Sequence, residues 1–211
     1  CDEGSRDRDP RDEAGRAGLV TPTVGVLALQ GAFAAHAAIL ESLGANTVEV
    51  RTSEQLADVD ALVVPGGEST TMSMLLERSA MLEPLRQRMA DGLPTFGTCA
   101  GMILLATEIS DGRPDQHALG AVDISVTRNG YGRQIDSFES DLDVVGLDAP
   151  FHAVFIRAPL VGRSGPAVEV LASVDGDPVL CRQGYVLVSA FHPELSDDDR
   201  IHRQWIESLD L

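Results

Sequence analysis

Three residues of this chain have the types and surroundings for acyl transfer through a thiol: Cys99, His192 and Glu194. Cys99 sits in Phe96-Gly97-Thr98-Cys99-Ala100-Gly101-Met102, an apolar segment that ends in Gly-x-Cys-x-Gly and runs into a helical pattern. That run predicts a nucleophile elbow, a sharp strand-to-helix turn whose small neighbours let the backbone crowd together. A free thiol with a pKa of about 8.5 is only ~3% thiolate at pH 7, so it needs activation. A base must take the proton, and a third group must orient the base. His192-Pro193-Glu194 offers both, with Glu194 expected two residues on along the same strand face and Pro193 stiffening the step. Taken alone, His192 reads as a core histidine. Cys99 and Glu194 make it a candidate base.

Two further turns have the composition of a site. Pro65-Gly66-Gly67-Glu68-Ser69-Thr70-Thr71 follows an apolar run, and Gly66-Gly67 lets backbone N–H groups approach an oxyanion. A plain strand-to-helix turn has the same composition. Glu68 suits a substrate ammonium, and serves equally as an exposed helix cap. The run is no phosphate loop, because the Gly-Lys that would follow is missing. No Cys/His cluster has metal-ligand spacing, so neither metal nor cofactor is expected.

These turns must be held by strands and helices. Apolar runs predict strands at Thr23–Leu29, Thr47–Arg51, Ala61–Val64 and Thr95–Phe96. Helices are expected at Phe33–Leu43, about Thr71–Leu76, Leu82–Ala90 and Gly101–Thr107, closed by glycines such as Gly44 and Gly92. The alternation indicates an α/β fold: a mainly parallel open sheet flanked by helices. In such sheets ligands bind beyond the carboxyl ends of the strands, where all three turns fall. Beyond Ala121 the pattern changes to short alternating runs at Val122–Val126, Val154–Ile156, Val168–Ala172, Val179–Arg182 and Val186–Ala190. An antiparallel extension of the sheet is expected there. A last helix spans Arg200–Leu209, with Asp197–Asp199 suiting its dipole.

The chain has 211 residues, 44% of them hydrophobic, which fits one soluble domain over 21–211. Residues 1–20 mix acids with four arginines and read as a disordered extension without a secretion signal. No apolar run approaches the ~20 residues that span a bilayer. The net charge of −17 argues against a nucleic-acid binder, whose phosphate contacts call for basic patches; all 16 basic residues are Arg, which bears on solubility rather than function. Three scattered cysteines give no disulfide framework and suit a cytoplasmic setting. Cys181 reads as a small buried hydrophobe, and Cys1 lies in the extension.

In this order the three motifs resemble the class I, triad glutamine amidotransferases, whose fold is flavodoxin-like and three-layered. Within them, Leu27–Phe33, Glu68-Ser69-Thr70-Thr71, Arg128-Asn129-Gly130-Tyr131-Gly132-Arg133-Gln134, Phe155–Pro159 and Phe191–Leu195 are similar to the glutaminase subunits of pyridoxal phosphate synthases. The likeness runs from about Val24 to the C-terminus. It implies that Cys99 attacks the glutamine side-chain amide, that His192 relays the proton, and that Glu194 orients His192. It further implies glutamine contacts at Gly66, Gly67, Glu68, Arg128, Ile156 and Arg157, with Gly67 and Ala100 amides as oxyanion donors. Guanidinium groups suit the α-carboxylate. The family also implies a synthase subunit as partner, 12 glutaminase chains on 12 synthase chains, and ammonia passed through a tunnel. That partner makes pyridoxal 5'-phosphate from ribose 5-phosphate and glyceraldehyde 3-phosphate. Tyr131, Ser189-Ala190 and the N-terminal extension depart from the family pattern without touching the triad. Rival readings are the glutaminase of another synthase, such as that for imidazole glycerol phosphate, a stand-alone thiol hydrolase, and a catalytically silent regulatory subunit.

Overall fold

The computed structural model describes residues 21–128, 130 and 137–209. The extension at 1–20 and most of the Asn129–Gln134 signature, Tyr131 included, lie outside the described residues. In chain order the first half runs β1 (Thr23–Leu27), α1 (Phe33–Ser42), β2 (Asn46–Val50), α2 (Ser53–Ala57), β3 (Ala61–Val64), α3 (Ser69–Arg78), α4 (Leu82–Ala90), β4 (Thr95–Thr98) and α5 (Ala100–Leu105). The second half runs β5 (Ala106–Ile109), β6 (Val122–Thr127), β7 (Ser137–Leu142), β8 (Phe151–Ile156), β9 (Leu160–Ser164), β10 (Glu169–Val174), β11 (Asp177–Gln183), β12 (Val186–Ser189) and α6 (Arg200–Glu207).

The main sheet has the order β10-β11-β12-β4-β3-β1-β2. Its five strands β2, β1, β3, β4 and β12 pair in parallel. β11 and β10 then continue it by antiparallel pairing. Every residue of β3, β4 and β12 is buried, as expected of parallel strands covered on both faces. The mainly parallel α/β architecture therefore stands.

The antiparallel extension is smaller than the alternating runs suggest. Only β10 and β11 extend the main sheet; β5-β6-β9 and β7-β8 form two separate sheets, and β12 joins β4 in parallel. Alternation reports a half-buried face without saying which sheet supplies the neighbour. The helix expected over Gly101–Thr107 stops at Leu105, because Ala106 turns extended (φ −62°, ψ 155°) and pairs with Val122. Pairing with β6 overrides the local helical pattern in a stretch that holds the β-branched Thr107 and Ile109.

The strand ends that face the site come from the centre of this sheet. β3 leads into Pro65-Gly66-Gly67, β4 into Cys99, and β12 into Phe191-His192. Packing fixes their spacing: a Cβ on Gly101 would collide with the Val64 carbonyl oxygen, so only glycine lets α5 leave β4 this close to β3.

Candidate active site

Cys99 caps α5 in a backbone conformation with φ 49° and ψ −102°. A non-glycine residue held at positive φ stores strain that the surrounding fold must sustain, and such strain collects at functional turns. Here it is sustained on one side by the Cys99 N–H, which donates to Ser189 O of β12 at 2.8 Å. The residue is 6% exposed, and its Sγ lies 3.8 Å from Ile156 O at the end of β8.

His192 follows β12 by three residues and is tied to β8 by its N–H, which donates to Val154 O at 2.9 Å. Its Nδ1 lies 2.8 Å from Glu194 Oε1. The carboxylate can only accept, so Nδ1 carries the proton and the other ring nitrogen is free for the thiol. The pairing differs from the expected strand face in one respect. β12 ends at Ser189, and Glu194 lies in a 3-10 turn at Pro193–Leu195. Pro193 starts that turn with its fixed φ, and the turn swings Glu194 back beneath the imidazole.

Burial alone would lower the His192 pKa, but hydrogen bonds to Cys99 and Glu194, with their charges, push it up to about 10. Glu194 has a fully buried side chain. Burial works against its ionisation, yet the His192 hydrogen bond and the neighbouring imidazoles hold its carboxyl below the usual range. Gly66 packs against this ring: a Cβ there would stand 2.5 Å from His192 Cε1 and 3.5 Å from Cys99 Cβ.

Cys99 and His192 open onto a cleft of about 260 Å³ lined also by Gly67, Glu68, Arg128, Ile156 and Arg157. Seven of the expected site residues thus share one wall-to-wall space. Gly66 and Ala100 are buried behind it, and Glu194 lies beneath His192. Glu68 does double duty. Its Oε2 accepts from Thr71 N and Thr71 Oγ1 at 2.7 Å each, while Oε1 accepts from Thr70 N at 3.1 Å. Burial opposes its charge, but these bonds from the start of α3 lower its pKa. Oε1 keeps a lone pair for a cation in the cleft. Arg128 is braced by Thr70 Oγ1 at 2.8 Å and by Asp111 O at 3.2 Å. Arg157 is exposed and holds φ 45°.

Gln30, Ser69 and Ile103 also line the cleft. Gln30 Oε1 accepts from Glu68 N at 3.2 Å, which pins the Gly67-Glu68 turn to the end of β1. Its position next to Gly31, in a turn after the first strand, was the available signal. Among the described residues no group of His, Cys, Asp and Glu has the arrangement of a metal site.

The model of the SNO glutamine amidotransferase family matches residues 26–211. This chain belongs to that family. A curated relative, the pyridoxal 5'-phosphate synthase subunit PdxT of Mycobacteroides abscessus, is 57% identical over 190 residues, covering 90% of this chain and 98% of that protein. The PdxT of Frankia alni is also 57% identical, over 88% of this chain and 94% of its own length. A crystal structure described as a glutamine amidotransferase superposes with a TM-score of 0.84 at 51% identity, covering 89% and 99% of the two chains. The PurLQS structure of Thermotoga maritima, at 15% identity and a TM-score of 0.66, shares the fold. For a glutamine amidotransferase the cleft has fitting chemistry: two guanidinium groups and one carboxylate around a thiol–imidazole pair.

Proposed function

We propose that this chain hydrolyses L-glutamine to glutamate and ammonia, with Cys99, His192 and Glu194 as its catalytic line. It is the glutaminase subunit of a pyridoxal 5'-phosphate synthase, and the ammonia goes to the synthase subunit. The observation that carries the mechanism is the placing of Cys99 and His192 on one cleft whose polar groups match a zwitterion.

Glu68 Oε1 takes the α-ammonium and the guanidinium groups of Arg128 and Arg157 take the α-carboxylate, with Ile156 against the stem. Cys99 Sγ attacks the side-chain amide carbon as a thiolate, forming the C–S bond and placing negative charge on the amide oxygen. The N–H groups of Gly67 and Ala100 receive that charge, next to the positive end of α5. Collapse of this intermediate breaks the C–N bond, and His192 gives its proton to the leaving nitrogen, which departs as ammonia. Water then attacks the glutamyl thioester, His192 takes its proton, and Cys99 leaves as glutamate forms. Glu194 keeps Nδ1 protonated throughout, so the other nitrogen does the proton transfer.

Residues 21–211 act as one glutaminase domain in the cytoplasm, where the thiols of Cys99 and Cys181, both free in the structure, stay reduced. No helix of the described residues is long and apolar enough to cross a membrane. Twelve copies dock on twelve synthase subunits, and no metal or cofactor takes part in the glutaminase step.

The test is glutamate release from L-glutamine by the chain alone and with its synthase subunit. Release that rises with the partner and falls at least ~1,000-fold in Cys99→Ala is expected. Undiminished release by Cys99→Ala would sink the mechanism, and release indifferent to the partner would sink the docking.

A further inference from the structure

Behind Glu194 lies a pair of imidazoles that the mechanism above does not use. His36 on α1 and His202 on α6 are both fully buried, and His36 Nδ1 lies 2.9 Å from His202 Nε2. His36 Nε2 is 3.4 Å from Glu194 Oε2 and 3.3 Å from Thr98 Oγ1, one residue before Cys99. Glu194 Oε2 is buried and has no hydrogen bond within normal limits among the described residues; His202 Nδ1 has none either. Phe96 of β4 packs edge-on against both rings, at 6.4 and 5.6 Å between centroids.

The proton arrangement follows from the ends of this chain. One proton occupies the bond between the two imidazoles. If His36 gave it, His36 Nε2 would be a lone pair that accepts from Thr98 Oγ1 but stands 3.4 Å from the carboxylate, and His202 Nδ1 would be a buried N–H with no acceptor among the described residues. Both carry a desolvation or repulsion cost. In the other direction His202 Nε2–H donates to His36 Nδ1, His36 Nε2 carries its proton between Thr98 Oγ1 at 3.3 Å and Glu194 Oε2 at 3.4 Å, and only a bare nitrogen is left over. That direction also sets the positive end of an N–H, and no lone pair, near the second oxygen of the carboxylate.

We propose that His36, backed by His202, is a positioning residue that holds the second oxygen of Glu194 so that the first stays aimed at His192 Nδ1. The proposal rests on the glutaminase reading of Cys99 and His192. A neutral donor suits the task. A charged His36 would compete with His192 for Glu194 and draw the carboxylate away. Burial, opposed in part by Glu194 and aided by His192, pushes His36 down to about 4. Burial and His36 together push His202 down to about 3, with Glu194 acting against them. The other ionisable groups in this line are Glu194, His192 and Cys99; Phe96 packs on both rings, with Trp205 against Phe96, and Thr98 lies at His36.

The experiment uses the chain together with its synthase subunit, comparing wild type, Cys99→Ala, His36→Leu, His36→Gln and His202→Phe. On the isolated chain, iodoacetamide labelling at Cys99 is followed against pH by mass spectrometry of that peptide. His36→Leu is expected to lower kcat about ten-fold or more, on the scale of partners that orient other functional histidines, with KM changed less than about two-fold. Its labelling midpoint moves to higher pH, because a looser Glu194 stabilises the imidazolium less and the thiolate forms later. His36→Gln, which can place an N–H near the same spot, restores most of the rate and midpoint, and His202→Phe gives a smaller loss in the same direction. A His36→Leu variant with wild-type kcat and midpoint would overturn the proposal. So would equal losses in Leu and Gln variants with an unmoved midpoint, which mark packing alone. If wild type shows no Cys99-dependent glutamate release, the glutaminase reading fails, and the labelling midpoints still decide the role of His36.

Discussion

Two histidines of this molecule carry the same immediate partner and differ in everything around it. His192 Nδ1 lies 2.8 Å from Glu194 Oε1, and His152 Nδ1 lies 2.9 Å from Asp141 Oδ1. His152 even has a second carboxylate, Glu139 Oε2, 3.1 Å from its other nitrogen. Both imidazoles are pushed up in pKa. Yet His152 sits on the β7–β8 hairpin with half its side chain in solvent, whereas the His192 side chain is 12% exposed above a carboxylate at 0%. With both nitrogens of His152 taken by carboxylates, none is free to serve a nucleophile. A histidine–carboxylate pair is therefore no sign of catalysis by itself. The cleft adds a nucleophile beside the free nitrogen, low exposure to solvent, and a backbone that fixes all three.

The sharpest way to break the comparison is Glu194→Gln. The amide keeps the shape but no longer compels protonation of Nδ1, so glutamate release should fall about 1,000-fold or more. Stability should change with pH as well. Because the His192 pKa is raised above its ordinary value, its contribution is fully present below about pH 6.5 and is lost as pH rises through about 10. Thermal unfolding followed from pH 6 to 10 should show the variant losing most relative to wild type at the lower end. An equal deficit at both ends would contradict that assignment. Gly66→Ala should come next. Its Cβ would press on His192 Cε1 from 2.5 Å and displace the ring from Cys99 without touching the chemistry of either side chain. A fall of about 100-fold is expected for a displacement near an ångström, with the circular dichroism spectrum unchanged. Full activity in Gly66→Ala would mean that the ring has room to spare.

Much of this cleft was legible in the chain. Gly-x-Cys-x-Gly implies an elbow because crowding there excludes side chains, and Val64 against Gly101 bears this out. Three turns were expected at the carboxyl ends of strands, and β3, β4 and β12 hold them there, although the run at Val186–Ala190 reads as antiparallel and pairs with β4 in parallel. What was not legible depends on long-range pairing. Gln30 meets Glu68 across 38 residues, and His36 meets His202 across 166, with no local pattern to announce either contact. The 3-10 turn under His192 was also missed, since His-Pro-Glu spacing fits an extended strand as well as a tight turn. β7 and β9 were hidden for a related reason: neither has a strong apolar run, and β9 owes its place to β6, which lies well before it in the chain.

The smallest expected effect belongs to the exposed pair. His152→Ala should leave glutamate release unchanged, because His152 itself is half in solvent and β8 meets the cleft at its other end, through Ile156 and through Val154 O on His192 N. Its stabilising effect should also be slight, since charges held in solvent are screened and their ordering costs side-chain freedom. The sign is nevertheless fixed. Side-chain hydrogen bonds to Asp141 and then Glu139 raise the His152 pKa, so its contribution is present below about pH 6.5 and fades as pH rises past the raised value. Melting curves of wild type and His152→Ala should therefore differ a little at pH 6 and converge at alkaline pH, and the small difference should shrink in high salt. A large, salt-insensitive loss of stability, or any loss of activity beyond about two-fold, would show that the hairpin is coupled to the cleft. The contrast between the two histidines would then be one of degree, with Val154 O on His192 N as the connection to examine.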